Sequence, residues 1–94
     1  LSPLGTPTTK ALIPLSEEDK ILVLFPYTGG NIFRDPELKN FINYRASYAE
    51  EASTLVRYAR EVLFSQRYAF FFQDDDYGRA SLNAAKKILI EQYN

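Results

Sequence analysis

Side chains able to do chemistry gather at three turns. Asp74-Asp75-Asp76 follows the short aromatic run Tyr68–Phe72 and leads into helical spacing over about Tyr77–Gln92. Adjacent carboxylates after a strand can build an acidic Mg²⁺ or phosphoacceptor pocket. That chemistry also needs an aspartate on a later strand and a downstream lysine, and only one helix follows. The plainer alternative is that Asp75 or Asp76 caps the helix while the other charges stay in water, leaving Tyr77 to face a ligand. A second set, Thr6, Thr8 and Thr9, sits at a helix start after Gly5, where hydroxyls and free N–H groups suit a carboxylate or simply cap the helix. The third is Tyr27-Thr28-Gly29-Gly30. Its glycines let backbone approach a ligand or make a tight turn. It lacks the GxxxxGK[ST] spacing of a phosphate loop, which argues against nucleotide binding. No histidine pairs with a nucleophile and spacing alone places no carboxylate pair, so no catalytic residue is assigned and the chain is read as non-enzymatic.

The elements that must position these turns follow from periodicity. Thr6 with Pro7 fits an N-cap followed by proline at the first helical position, with Pro14 kinking or shortening the helix that carries Ala11, Leu12 and Leu15. Ile21–Phe25 is an unbroken β-branched and apolar run, as expected of a strand covered on both faces. Phe41–Arg45 is a shorter, alternating strand candidate after a polar connection. Ala49–Phe64 is an amphipathic helix with Ala52, Leu55, Val56, Ala59, Val62 and Leu63 on its apolar face. Tyr68–Phe72 reads as a buried central strand, and the last helix buries Ala80 or Ser81, Ala84, Ala85, Ile88 and Leu89. The alternation predicts an α/β class with a mainly parallel sheet.

Composition narrows the function. A chain of 94 residues with 46% apolar content is one domain at most, with enough apolar surface for a core. A net charge of −1 gives no footprint for nucleic acid. The absence of cysteine and histidine removes disulfides, thiolate chemistry and the commonest metal ligand, and no metal site or cofactor is expected. The opening LSPLGTPTT reads as the tail of a strand, which suggests a segment of something larger.

Taken together, SPLGTPTTKALIP, LFPYTGG and NYRASYAEEASTLVRYARE running into RYAFFFQDDDYGRASLNAAKK resemble the type 1 periplasmic substrate-binding proteins of ABC transporters, the branched-chain amino-acid-binding group and its relatives. The resemblance implies a parallel-sheet segment of a two-lobed flytrap, with residues 1–46 in one lobe and 47–94 in the other. It implies a hinge at Ala46, Ser47 and Tyr48. Thr6, with Thr8 close by, would bind a ligand carboxylate, Tyr27, Thr28 and Gly29 would line the same side, and Tyr77 would close from the other lobe. The ligand would be an amino acid or other small carboxylate, delivered to an ABC permease from a periplasmic or extracytoplasmic, conceivably lipid-anchored, position. The remainder of the polypeptide, or an oligomer partner, would complete the fold. Tyr27 stands where branched-chain amino-acid binders carry a small residue, which favours a different carboxylate. An acidic signalling domain and a structural fragment with no activity of its own are the alternatives.

Overall fold

The computed structural model describes residues Ser2–Tyr93; Leu1, from which the sequence reading starts its strand tail, lies outside the described residues, as does Asn94. Helix α1 spans Thr6–Ala11 and α2 spans Ile13–Glu18, with Leu12 as the joint between them. The N-cap of α1 is Gly5, one residue earlier than the sequence suggested, because Gly5 takes a φ of 93° that no Thr side chain accommodates at low cost. Pro7 then occupies the first turn, where its missing N–H has no helical partner to lose. Pro14 plays the same part in α2, so proline divides the segment into two short helices.

Two parallel strands follow, β1 at Val23–Leu24 and β2 at Phe41–Ile42, in register Val23 to Phe41 and Leu24 to Ile42. A parallel bridge from Leu4 to Tyr27 adds the N-terminal stretch beside the same line of chain, closed by the Tyr27 amide donating to the Pro3 carbonyl at 2.9 Å. The predicted five-residue strand Ile21–Phe25 is thus shortened to two paired residues. Ile21, Leu22 and Phe25 are exposed, and Phe25 ends the strand at a φ of 48°. The core under this ladder is Val23, Phe33 and Phe41, flanked by Ile13 and Leu38, with the Phe33 and Phe41 rings stacked at 5.7 Å. Burying an apolar side chain of this size contributes about 1.5–3 kcal/mol.

Helix α3 spans Tyr48–Glu61 and α4 spans Asp76–Tyr93. They pack through Ala52, Val56 and Ala85, with Ala84, Ile88, Leu89 and Tyr93 around them. Alanines on the shared face let the two axes come close. Leu55, Val62 and Leu63, expected on the buried stripe, are exposed, because α4 covers only the Ala52–Val56 side. Tyr68–Phe72 is also corrected. It forms no ladder and Phe71 is fully exposed, since among the described residues no strand lies alongside to satisfy its backbone. The molecule is accordingly elongated, 49 × 22 × 19 Å, with a radius of gyration of 15.3 Å against the roughly 12 Å of a compact chain of this length.

Helix α3 is held at its start by a capping box. The Glu50 amide donates to Ser47 Oγ at 3.1 Å, and the Ser47 amide donates to Glu50 Oε2 at 2.7 Å. The Ser47 amide, and after it the Ser47 hydroxyl, which donates to the same Oε2 at 2.9 Å, hold the Glu50 carboxyl below its ordinary pKa. Ser47→Ala should therefore destabilise the full-length protein by about 1 kcal/mol in urea denaturation, while Ser53→Ala, further along the helix, changes it by less.

Candidate functional site

The polar turn of β1 and the start of α3 are fastened to each other. The Tyr48 amide donates to the Gly29 carbonyl at 2.7 Å. A Cβ on Gly29 would lie 2.8 Å from the Ala46 carbonyl oxygen, the Tyr48 amide nitrogen and Tyr48 Cδ1, so only glycine fits. Thr28 and Thr6 are each 1% exposed and share a 2.6 Å hydroxyl–hydroxyl bond, while Thr28 Oγ1 also accepts from the Gly30 amide at 3.2 Å. Thr6 Oγ1 is thereby committed to the protein. Thr8, at the same end of α1, is exposed, and among the described residues no hydrogen bond uses its hydroxyl.

The acidic turn resolves into three separate contacts. Asp74 pairs with Arg79 at 2.6 Å, and Asp76 pairs with Lys10 of α1 at 2.7 Å. Asp75 caps α4, its Oδ1 accepting from the Gly78 amide at 3.0 Å, and also accepts from the Gln73 side chain. The Gly78 amide holds the Asp75 carboxyl below its ordinary pKa. Gly78 must be glycine, since a Cβ there would sit 2.0 Å from the Gln73 carbonyl oxygen. With the three carboxylates turned to three different partners, the turn is a brace for the head of α4 and a link back to α1. Among the described residues, no three or more metal-ligating side chains are grouped around one point.

These constraints leave a cleft of about 460 Å³ between the head of α1, the β1 turn and the head of α4. Four of the residues singled out in sequence, Thr6, Thr8, Tyr27 and Tyr77, line it, together with hinge candidate Tyr48. Thr28 and Gly29 are buried and act as support, Thr28 under Thr6 and Gly29 under Tyr48. The Tyr48 and Tyr77 rings meet edge to face at 5.5 Å. Ala46 and Ser47 connect Arg45 to the start of α3, with Ser47 buried as the cap of that helix.

Arg45, which is not among the candidates drawn from the sequence, also lines the cleft. Its guanidinium lies 5.2 Å from the ring centroids of both Tyr27 and Tyr48 and is held by Glu51 through bonds of 2.9 and 3.2 Å. The Glu51 bonds raise its already high pKa further. The signal was an arginine closing a strand with a glutamate six residues on, but nothing in the spacing says that the two face each other across a helix start.

The fold and site define an α/β segment built on short parallel strands, with a small cleft at the strand ends. No family model matches the sequence, and no curated protein matches it. A solved structure does: the crystal structure of a possible leucine/isoleucine/valine-binding protein from Rhodopirellula baltica SH 1, at a TM-score of 0.82 and 32% identity over 99% of this chain. The chain spans 25% of the length of that protein. The match makes the chain a parallel-sheet segment of the type 1 periplasmic-binding-protein fold. Among the described residues no helix is long and apolar enough to cross a membrane.

The Asp75 cap carries a pH dependence of known sign. A carboxyl with a depressed folded pKa contributes stability that is complete above its unfolded value and is lost as pH falls through the folded value. The stability advantage of the wild type over Asp75→Asn should therefore be constant near neutrality and shrink below about pH 4 in denaturation midpoints measured across pH.

Proposed function

We propose that the cleft binds a small carboxylate-bearing solute, such as an amino acid, and that the protein is the non-catalytic binding component of an ABC transport system. The observation that carries this is the convergence of Thr6, Thr8, Tyr27 and Tyr77, spread over seventy residues of sequence, on one cleft of ligand size. The likeness to a possible leucine/isoleucine/valine-binding protein supports the same reading.

In this reading residues 1–46 belong to one lobe and 47–94 to the other, joined at Ala46, Ser47 and Tyr48. The head of α1 and the Tyr27–Gly29 turn form one wall, and Tyr77 closes from the opposite side by hinge motion. The partners are the small ligand and a membrane permease, the location is periplasmic or otherwise extracytoplasmic, and the remainder of the polypeptide completes both lobes. The exposed apolar faces of α3 and of Tyr68–Phe72 are suited to that completion.

Titration calorimetry of the full-length protein against a panel of amino acids and small carboxylates tests the proposal. Tyr77→Ala should weaken the best ligand by about tenfold or more, the usual cost of an aromatic contact residue. Thr6→Ala should weaken it as well, by removing the hydroxyl–hydroxyl bond that ties the head of α1 to Thr28 in the β1 turn. Unchanged affinity in both variants would contradict it.

A further inference from the structure

We infer that Arg45 is the residue that grips the ligand's carboxylate, and that the body of the ligand is planar and unsaturated. This rests on the solute-binding reading and assigns within it the anchor and the ligand class. Three observations converge on Arg45. It lines the cleft alongside Tyr27, Tyr48 and Tyr77, whereas its partner Glu51 lines a separate depression with Ala46, Glu50, Thr54 and Leu55. Glu51 takes Nε and one terminal nitrogen of the guanidinium. Among the described residues no hydrogen bond uses the other terminal nitrogen, so donors of the fork are left over. The group also lies over two tyrosine rings, at 5.2 Å from each centroid, and the Arg45 backbone carbonyl accepts from the Arg34 side chain.

An arginine fixed in this way loses little freedom when it takes up an anion. The obvious alternative anchor, the Thr6 hydroxyl, is spent on Thr28, and Thr6 borders the cleft with only 1% of its surface exposed. The other charge on the lining, Asp75, already accepts from Gly78 and Gln73, and its sign opposes an anion. Among the described residues Arg45 is thus the one cation on the cleft lining. Around it the walls are tyrosine rings, with Leu4 the sole large aliphatic side chain among the described residues of the lining. Ring faces and edges favour a flat ligand stacked between them over a branched aliphatic one.

The test is calorimetry on the full-length protein with phenylacetate, its uncharged isostere phenylacetamide, and L-leucine. Wild type should bind phenylacetate at least about tenfold more tightly than phenylacetamide, the scale of one charge-assisted pair, and more tightly than L-leucine. Arg45→Gln should erase the carboxylate preference, so that phenylacetate binds no more tightly than phenylacetamide. Arg45→Lys, which keeps the charge but not the fork, should recover part of the preference. Circular dichroism melts of both variants establish that they fold. A carboxylate preference that persists in folded Arg45→Gln overturns the anchor assignment and leaves solute binding standing. Tighter binding of L-leucine than of phenylacetate overturns the ligand class alone. Wild type that binds neither these probes nor any amino acid overturns the underlying reading, and the inference with it.

Discussion

The hydrogen bond from the Tyr48 amide to the Gly29 carbonyl is the joint on which the cleft depends. At Gly29 the chain after β1 comes so close to Ala46 and Tyr48 that no Cβ can be accommodated. That approach sets the start of α3 against the β1 turn and places Arg45, just upstream, over the Tyr27 ring. It also holds the Tyr48 ring where Tyr77 can meet its edge, so the head of α4 takes its position from the same contact. A second close approach, Gly78 against the backbone of Gln73, completes the far wall. Both walls are therefore fixed by backbone packing at two glycines.

The polar groups nearest the cleft divide into those that hold the structure and those left for binding. Thr6, Thr28, Ser47 and Asp75 satisfy buried or capping partners, and each has its hydrogen-bonding capacity turned inward. A buried hydroxyl without a partner costs about 1–3 kcal/mol, which accounts for the 2.6 Å pairing of Thr6 with Thr28. Thr8, Tyr27, Tyr77 and the outer part of Arg45 remain. The ion pair of Lys10 with Asp76 spans α1 and α4 at an exposed site, where such pairs stabilise little, so it serves alignment more than strength.

Helices were legible in the sequence because their signals are local. Asp75 as a helix cap and proline at positions 7 and 14 each act within one or two turns and appear as helix boundaries, while the equally local box of Ser47 with Glu50 went unread. Strands were less so. Ile21–Phe25 and Tyr68–Phe72 have the composition of buried strands, but burial requires neighbours that composition does not specify, and Phe71 ends fully exposed. Thr6, Thr8, Tyr27 and Tyr77 stood out in sequence by their place at helix starts and after strand-like runs, and their ligand roles came from the family resemblance; the structure sets the four along one cleft. Arg45 was missed because its role arises from a contact across the turn, with Tyr27 eighteen residues back and Glu51 ahead.

The most direct measurement of the central claim is a crystal structure of the full-length protein grown with phenylacetate. The account predicts the ligand between the Tyr27 and Tyr77 rings, with its carboxylate within hydrogen-bond distance of the Arg45 guanidinium. A ligand bound elsewhere with this cleft filled by water, or one whose carboxylate turns away from Arg45, would contradict it.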